Sequence, residues 1–323
     1  SGGHQRDSFS STDNHLQHFA HAAKRTQFRK AATIAFRELQ SRHILPTMII
    51  AGDPFFGLLS AFLLRKKFSR KIPIQVSFHG EITKSGFGTG IKGRLQNLFI
   101  QKTIAKVESV RLVSNDQIHF AKKLFGVVDK QIVIAPVPLI STFKKTTRSK
   151  KKVVAFVGRI HPQRGVGTWV EAMKNLSVKA EALIIGDGPL KSTFIEDLKE
   201  IPKVSINATG YISQSELENT WAKISVLLST APFESYGMAM REAVLHGVPV
   251  VSMRNSGAQK LHDECPKMIT LVDNAEEAAR AIEKVLDQPP SAVVVNKYKK
   301  DFLKAQESYL KSLAKSWLGN FGD

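Results

Sequence analysis

Short apolar runs alternate with helical patterns along most of the chain, and this alternation limits the fold more than any other feature. In the first half, runs typical of buried strands lie at 46–51, 72–78, 110–114 and 132–135. The helical patterns that separate them lie at 28–41, 55–67, 91–107 and 116–124. Strands that alternate with helices are typical of parallel sheets covered by helices on both faces. The sequence therefore predicts the α/β class, with doubly wound parallel sheets.

A polar, charged segment at 143–152 interrupts the alternation, which then starts again. Five further strand-like runs follow between 153 and 252, and a long helical pattern at 297–318 closes the chain. We predict two domains, 1–147 and 148–323. Open parallel sheets bind ligands in the crevice at the carboxyl ends of their strands, so the loops at those ends are the candidates for a site.

Positive charge is concentrated in the first half of the chain. Residues 1–150 hold 25 Lys and Arg against 8 Asp and Glu, a net charge of +17, whereas residues 151–323 hold 22 against 20, a net charge of +2. This asymmetry indicates an anionic partner for the first half, and both nucleic acid and an anionic membrane surface fit it. An apolar helical pattern at 55–64 leads into five cations, Arg65, Lys66, Lys67, Arg70 and Lys71. This arrangement predicts either docking on anionic lipid or a buried helix with a solvated cationic end.

The apolar content and the single cysteine indicate the class of protein and its cellular location. Apolar residues make up 42% of the 323 residues, as in a globular protein, and the chain is long enough for two cores. The longest apolar run, at 47–64, is interrupted by Asp53-Pro54 and does not predict a membrane span. Cys265 is the single cysteine, and no secretory signal pattern is present. We expect a cytoplasmic location, either free or on the cytoplasmic face of a membrane.

A loop with two arginines follows the first strand of the second half. Arg159 and Arg164 are five positions apart, and Gly165 and Gly167 open the helical pattern after them. Glycines let a ligand approach the backbone, and guanidinium groups beside a helix N-terminus favour phosphate. The alternative is an ordinary strand-to-helix loop with solvated arginines.

Two glutamates, Glu234 and Glu242, lie eight positions apart around a turn at Gly237. If Glu242 lies on a helix that enters a crevice, its carboxylate can accept hydrogen bonds from vicinal hydroxyls such as those of a ribose. Glu234 precedes the turn and would then face a second sugar. The alternative is that both are solvated or capping glutamates, as most glutamates are.

The order of these motifs is more specific than any one of them. The Gly-Arg loop at 158–159, the Gly-Asp-Gly-Pro turn at 186–189, Gly-Tyr-Ile at 210–212 and the E-x7-E block at 234–242 follow one another within about 100 residues. Together they resemble the nucleotide-sugar domain of family-4 retaining glycosyltransferases with the GT-B fold. The resemblance covers nearly all of residues 153–285. It implies two Rossmann-like domains that face a cleft.

The resemblance also implies roles for individual residues. Arg159 and Arg164 would contact the donor diphosphate, although the family usually has lysine at the second position, and the two cations differ in geometry. Ile212 would lie beside the base, Glu242 would hold the ribose hydroxyls, and Glu234 would contact the transferred sugar. The sugar and the diphosphate would also meet backbone amides around three consecutive residues, Tyr236, Gly237 and Met238.

The first domain matches the family less well. His79 follows an apolar strand-like run and resembles the histidine of a His-Gly step that reaches the donor sugar. The alternative for His79 is a packed or surface histidine. About four strands precede the linker, fewer than the family uses, which favours an incomplete acceptor-side domain.

The resemblance implies transfer of a sugar from a UDP- or GDP-linked donor to a glycan, lipid-linked or small-molecule acceptor, with retention at the anomeric carbon. The histidines are scattered, with none at helical ligand spacing beside paired acids, so we expect neither a metal nor a cofactor. Two alternatives stay open. One is an epimerase or phosphorylase of the same architecture, the latter without an identifiable pyridoxal lysine. The other is a nucleic-acid-binding protein that uses the basic half, which no recognised motif supports.

Overall fold

The protein is described here from a computed structural model. The structure describes residues 10–12, 15–17, 28–68, 71–79, 90–115, 117–137, 139 and 151–318. The chain forms two compact units, one of residues 1–136 with 311–323 and one of residues 137–310. The predicted boundary between 147 and 148, and most of the predicted linker at 143–152, lie outside the described residues.

The first unit is an α/β unit. Its elements are β1 (Ser10–Thr12), β2 (His15–Gln17), α1 (Phe28–Ser41), β3 (Ile49–Ala51), α2 (Phe56–Lys67), β4 (Ile74–Phe78), α3 (Ile91–Thr103), β5 (Ser109–Leu112), α4 (Gln117–Phe125) and β6 (Ile132–Ile134). Short 3-10 turns at 104–106 and 129–131 lead into β5 and β6. Strands β3 to β6 pair in parallel in chain order, and β1 and β2 form a separate antiparallel hairpin. The four-stranded parallel sheet confirms the predicted α/β alternation.

Helix α2 is part of the core of this unit. Its Leu58, Ala61 and Leu64 are buried, and they pack with the fully buried strand β4. The cations of Arg65 and Lys66 at its end reach the surface. Of the two interpretations of this segment, the structure shows the buried helix with a cationic end, so the apolar side of α2 is not available to a bilayer.

The second unit contains the larger sheet. Its elements are β7 (Val153–Val157), α5 (Val166–Asn175), β8 (Ala180–Ile185), α6 (Lys191–Lys199), β9 (Val204–Gly210), α7 (Gln214–Thr220), β10 (Val226–Ser229), α8 (Met238–Leu245), β11 (Val250–Met253), α9 (Ser256–Glu264), β12 (Ile269–Val272), α10 (Ala275–Asp287) and α11 (Ala292–Leu318). Residues 311–318 of α11 are counted with the first unit.

The six strands of this sheet are all parallel, in the order β12-β11-β10-β7-β8-β9. Side chains of β7 alternate between two cores: Val154 and Phe156 pack on one face, Val153 and Ala155 on the other. The sheet is therefore doubly wound, as predicted. The chain proceeds from β7 to β9 on one side and then crosses back to β10, so the strand order reverses between β7 and β10. A reversal of this kind opens a crevice at the carboxyl ends of the two strands.

Candidate functional site

The loops that follow β7 and β10 are in direct contact at the reversal of strand order. The hydroxyl of Thr230, just after β10, donates a hydrogen bond to the carbonyl of Arg164 at 3.0 Å. Gly165 has φ +64°, and a Cβ at this position would lie 2.1 Å from the carbonyl oxygen of Thr230. Only glycine fits this conformation and this approach. The contact fixes the backbone of Arg164 at the entrance to the crevice, and so the point from which its side chain extends.

Arg164 and Glu234 form an ion pair across the crevice. The exposed fractions of their side chains are 44% and 20%, so both groups remain accessible to a ligand. The backbone of Glu234 is held by the first turn of α9, because its carbonyl accepts hydrogen bonds from the amide of Gly257 at 2.6 Å and the hydroxyl of Ser256 at 3.3 Å. The structure thus brings a predicted phosphate-binding residue and a predicted sugar-binding residue into contact.

Arg159 lies in the same loop as Arg164 and is exposed at the end of β7. Within the described parts of the chain, no carboxylate pairs with it. The turn at 186–188 supports this loop by close backbone packing: a Cβ at Gly186 would lie 1.9 Å from the carbonyl oxygen of Gly158, and one at Gly188 would lie 2.2 Å from that of Ile160. The Gly-Asp-Gly-Pro turn therefore positions the loop that carries Arg159 and Arg164.

Glu242 lies on the second turn of α8 and points toward α7. Its partners are the side chain of Gln214, by a hydrogen bond, and the charge of Glu218. Burial, reinforced by Glu218 and opposed by the Gln214 hydrogen bond, raises the pKa of Glu242 above its ordinary value. Ile212, which shortly precedes α7, is half-buried against the core. The predicted ribose-binding and base-binding residues thus share one side of the crevice.

The segment 236–238 leads into α8, with Tyr236 and Gly237 buried and Met238 half-buried. Gly237 has φ +74°, which turns the chain into the helix, and Met238 is the first helical residue. The amides of the first turn of a helix lack partners within the helix and carry partial positive charge. The side chain of Tyr236 is buried, so a ligand contact at Tyr236 would be made through its backbone.

Arg241 is a residue of this site that the sequence patterns do not identify. It is buried, its Nε donates to the carbonyl of Tyr236 at 2.9 Å, and its guanidinium lies 4.1 Å from the centre of the Tyr236 ring. It also pairs with Glu264 on α9. Arg241 therefore holds the turn that carries Glu234. The sequence feature that could have identified Arg241 is its position on the apolar face of α8, beside Met240 and Val244, where a surface arginine is not expected.

His79 belongs to the first unit, where it follows β4. Its side chain remains accessible to solvent, yet partial burial lowers its pKa below the ordinary value, with a further lowering by Arg111 and an opposing effect of Asp53. Arg111 is fixed by hydrogen bonds to the carbonyls of Ala135 at 2.8 Å and Pro136 at 2.9 Å. His79 thus places an accessible imidazole with a lowered pKa at the carboxyl edge of its own sheet.

A family comparison identifies the chain. The sequence model of the family described as Glycosyl transferases group 1 matches residues 140–302, which is half of the chain. The chain belongs to this family.

Individual relatives agree with the group 1 assignment. The chain is 30% identical over 141 residues to a GDP-mannose-dependent alpha-mannosyltransferase of Corynebacterium glutamicum. That match covers 42% of the chain and 32% of the relative, so the matched part is about a third of the relative's length.

Two solved structures of other proteins are similar to the fold of this chain. Sucrose-phosphate synthase of Thermosynechococcus elongatus is similar with a TM-score of 0.74 and 15% identity, over 98% of the chain and 86% of that protein. HepE of Anabaena, solved with UDP and glucose, is similar with a TM-score of 0.68 and 15% identity, over 90% of the chain and 82% of that protein. These likenesses confirm the predicted fold class, two parallel-sheet α/β domains of the GT-B type.

Three further features of the chain concern metal ligands, the cysteine thiol and membrane-spanning helices. Within the described ranges, no group of three His, Cys, Asp or Glu side chains is placed to hold a metal ion. Burial raises the pKa of the Cys265 thiol to about 12, so it is no nucleophile near neutral pH. No helix in the described part of the chain has the length and apolar character needed to cross a membrane.

Proposed function

We propose that the chain transfers a sugar from a nucleoside-diphosphate sugar to a glycan, lipid-linked or small-molecule acceptor, with retention at the anomeric carbon and without a metal. The contact between Arg164 and Glu234 at the reversal of strand order carries this proposal. It joins a cation suited to phosphate with a carboxylate suited to sugar hydroxyls. The relative that is named for GDP-mannose and the structure solved with UDP support a GDP- or UDP-linked donor.

The geometry suits a diphosphate leaving group. Arg159 is exposed without a carboxylate partner in the described part of the chain, and Arg164 reaches the same crevice from five positions further along. With the amides of Gly237 and Met238 at the N-terminus of α8, they would stabilise the negative charge that develops on the departing phosphate. These fixed positive groups would supply the charge that a metal ion supplies elsewhere.

The proposed reaction breaks the bond between the anomeric carbon and the phosphate oxygen and forms a bond to the acceptor oxygen on the same face. The departing phosphate accepts the proton of the acceptor hydroxyl, so no protein nucleophile is needed. Glu234 would orient the transferred sugar and stabilise its positive charge.

The activity can be tested by incubating the full chain with UDP- and GDP-linked sugars and a panel of glycan, lipid-linked and small-molecule acceptors. We expect release of the nucleoside diphosphate that depends on acceptor and persists in EDTA, with a product that keeps the donor's anomeric configuration by NMR. Inversion would contradict the retaining mechanism, and loss of activity in EDTA would contradict the metal-independent one. Conversion of the donor sugar without transfer would indicate an epimerase instead.

Glu242→Gln should weaken donor binding by about tenfold, because the charged carboxylate is the stronger hydrogen-bond acceptor for ribose hydroxyls. In the unmodified chain, donor affinity should fall with decreasing pH as Glu242 protonates, and this should begin above the ordinary pKa of a glutamate because burial raises the pKa. The variant should lose this pH dependence. Calorimetric titration of the unmodified chain and of the variant with UDP or GDP, between pH 5 and 8, measures both effects.

The stability of the Glu242→Gln variant separates this role from a structural one. A carboxyl group with a raised pKa destabilises the folded state where it is charged, and this cost is relieved as pH falls through the raised pKa. The free energy of unfolding of the variant at neutral pH should therefore be unchanged or higher. A variant that is less stable and binds the donor normally would contradict the assignment.

We further propose that the first unit docks on an anionic membrane surface, which would place the protein on the cytoplasmic face. Helix α3 carries three exposed apolar residues, Ile91, Leu95 and Leu98, with exposed fractions of 81%, 61% and 46%. Their spacing places them on one side of the helix. The helix has no acidic residue, and its exposed cations are Lys92, Arg94 and Lys102. An apolar stripe with basic flanks fits the boundary of an anionic bilayer.

Replacing Ile91, Leu95 and Leu98 together by serine should reduce flotation with mixed vesicles of phosphatidylcholine and phosphatidylglycerol by at least tenfold. Each of these side chains contributes roughly 1.5–3 kcal/mol when fully buried, so even partial insertion makes a large contribution. Co-flotation on a density gradient measures the bound fraction.

The control variant carries the same number of apolar-to-serine changes on exposed residues of the first unit away from α3, namely Ile34, Leu45 and Val128. It should float like the unmodified chain. Equal flotation of both variants, or equal binding to vesicles of phosphatidylcholine alone, would refute docking through α3.

A further inference from the structure

A second concave surface lies in the first unit, at the edge of the sheet opposite His79. Its volume is about 980 Å³, and it is formed by the end of α2 and by the segments that immediately precede β4, β5 and β6. All these segments meet at the amino ends of the strands, whereas His79 follows the carboxyl end of β4. We call this surface the amino-edge pocket. It is separate from the crevice to which sugar transfer is assigned above.

Five cations line the amino-edge pocket from several directions. They are Arg65 and Lys66 on α2, Lys71 before β4, Lys106 before β5 and Lys130 before β6. The one carboxylate among the lining residues is that of Glu108, which accepts a hydrogen bond from the amide of Ile74 at 2.7 Å and lies 3.7 Å from Arg65. Across the described residues, no carboxylate pairs with Lys66, Lys71, Lys106 or Lys130. Like charges that converge in a concavity raise the local potential and favour a counter-anion.

The wall of the pocket is held by hydrogen bonds that leave the lysines available. The buried amide of Gln131 donates to the carbonyls of Ile104 at 3.2 Å and Val107 at 2.8 Å, which fixes the turn that carries Lys106. The guanidinium of Arg65 donates to the carbonyl of Lys106 at 3.3 Å and 3.4 Å, and lies 5.2 Å from the centre of the Phe62 ring. The backbone that presents the cations is therefore well supported.

We propose that the amino-edge pocket binds an anion that carries several phosphate groups. A lysine ammonium group is a point charge that can bind phosphate oxygens from many directions. The pocket has four lysines on separate segments, which is more positive charge than a ligand with a single carboxylate group would need for neutralisation. The volume lies in the range of ligand pockets and accommodates more than one phosphate group. A free oligophosphate and a phosphorylated lipid headgroup share this chemistry, and the pocket recognises that shared part.

Binding of tripolyphosphate to the full chain, measured by calorimetry at low ionic strength, tests the site. Lys66→Gln, Lys71→Gln and Lys130→Gln combined should weaken binding at least tenfold, because three of the unpaired charges are removed. A matched variant removes three exposed cations of the same unit that do not line the pocket, Arg29, Lys30 and Lys123, and should bind like the unmodified chain. Equal weakening by both variants would show general charge attraction and overturn the proposal, as would a lack of binding.

A third variant distinguishes the amino-edge pocket from the crevice. Arg159→Gln with Arg164→Gln should leave one tripolyphosphate site intact, and amide hydrogen exchange should show protection at 104–108 and 129–131 on binding. Protection at 158–165 alone in the unmodified chain would overturn the proposal without affecting the proposed sugar transfer.

Flotation with mixed vesicles of phosphatidylcholine and phosphatidylinositol bisphosphate, whose headgroup carries several phosphate groups, then assigns the source of the phosphate groups. Loss of flotation in the lysine variant supports a lipid headgroup in the pocket. Unchanged flotation with lost tripolyphosphate binding supports a soluble ligand.

Discussion

Arg159→Ala should lower kcat/KM for sugar transfer by about two to three orders of magnitude, the loss typical of removing one fixed group that stabilises developing charge. The free energy of unfolding should change by less than about 0.5 kcal/mol, because the side chain is exposed and pairs with no carboxylate in the described part of the chain. Steady-state kinetics with the best donor of the panel, together with urea unfolding, measures both quantities.

A matched control is available in the same unit. Arg280 is exposed on α10, away from the carboxyl ends of the strands, and Arg280→Ala should change neither activity nor stability. Glu234→Ala should also abolish transfer, but it is a less specific test because it releases Arg164 from its ion pair as well. Near-normal turnover by purified, folded Arg159→Ala would refute the assignment of the diphosphate to this loop.

The fold could be predicted from the sequence where burial on both sides of an element leaves a strong local pattern. Helix α1 has the predicted bounds, and most other predicted elements of the first unit differ from prediction by a few residues at their ends. The sequence pattern assigns no bounds to the elements between 253 and the closing helix. Strand β12 lacks a continuous apolar run because Thr270 faces solvent, so its pattern is weaker than that of β7.

The site was predictable in its parts and not in its contacts. Glycine turns and charged residues at strand ends are visible along the chain, so the loops around Arg159 and Gly237 could be found. The pairing of Arg164 with Glu234 depends on strand order, because β7 and β10 are neighbours in the sheet although β8, β9 and three helices lie between them in the chain. The support of Tyr236 by Arg241 depends on side-chain packing, which no spacing rule encodes.

The surface of the first unit shows the same limit. The apolar pattern of α2 and the cations after it suggested one docking segment, but the structure buries the apolar part and exposes Ile91 and Leu95 of α3 instead. Both helices have apolar residues in sequence, and only their position against the sheet decides which side is exposed. The cations of the amino-edge pocket are likewise brought together by the parallel sheet, from the end of α2 and from segments that precede three different strands.

Gly165→Ala should destabilise the second unit by roughly 3 kcal/mol or more. A residue with a Cβ is strained at φ +64°, which costs about 1–2 kcal/mol, and the Cβ would lie 2.1 Å from the carbonyl oxygen of Thr230. Relief of this overlap requires the loops after β7 and β10 to separate, which also moves Arg164 away from Glu234. Urea unfolding should show the loss of stability, and donor binding should fall together with it.

Gly167→Ala is the matched control, two residues further along the same segment. No atom lies within 4 Å of a Cβ at this position, and its φ is outside the left-handed region. Because Gly167 lies in the first turn of α5, alanine should leave the free energy of unfolding unchanged or raise it by up to about 1 kcal/mol. Equal stabilities of the two variants would mean that the loops can separate at little cost. The ion pair at the crevice would then not depend on the close approach of Gly165 to Thr230, and the position of Arg164 would have to be set by the ligand.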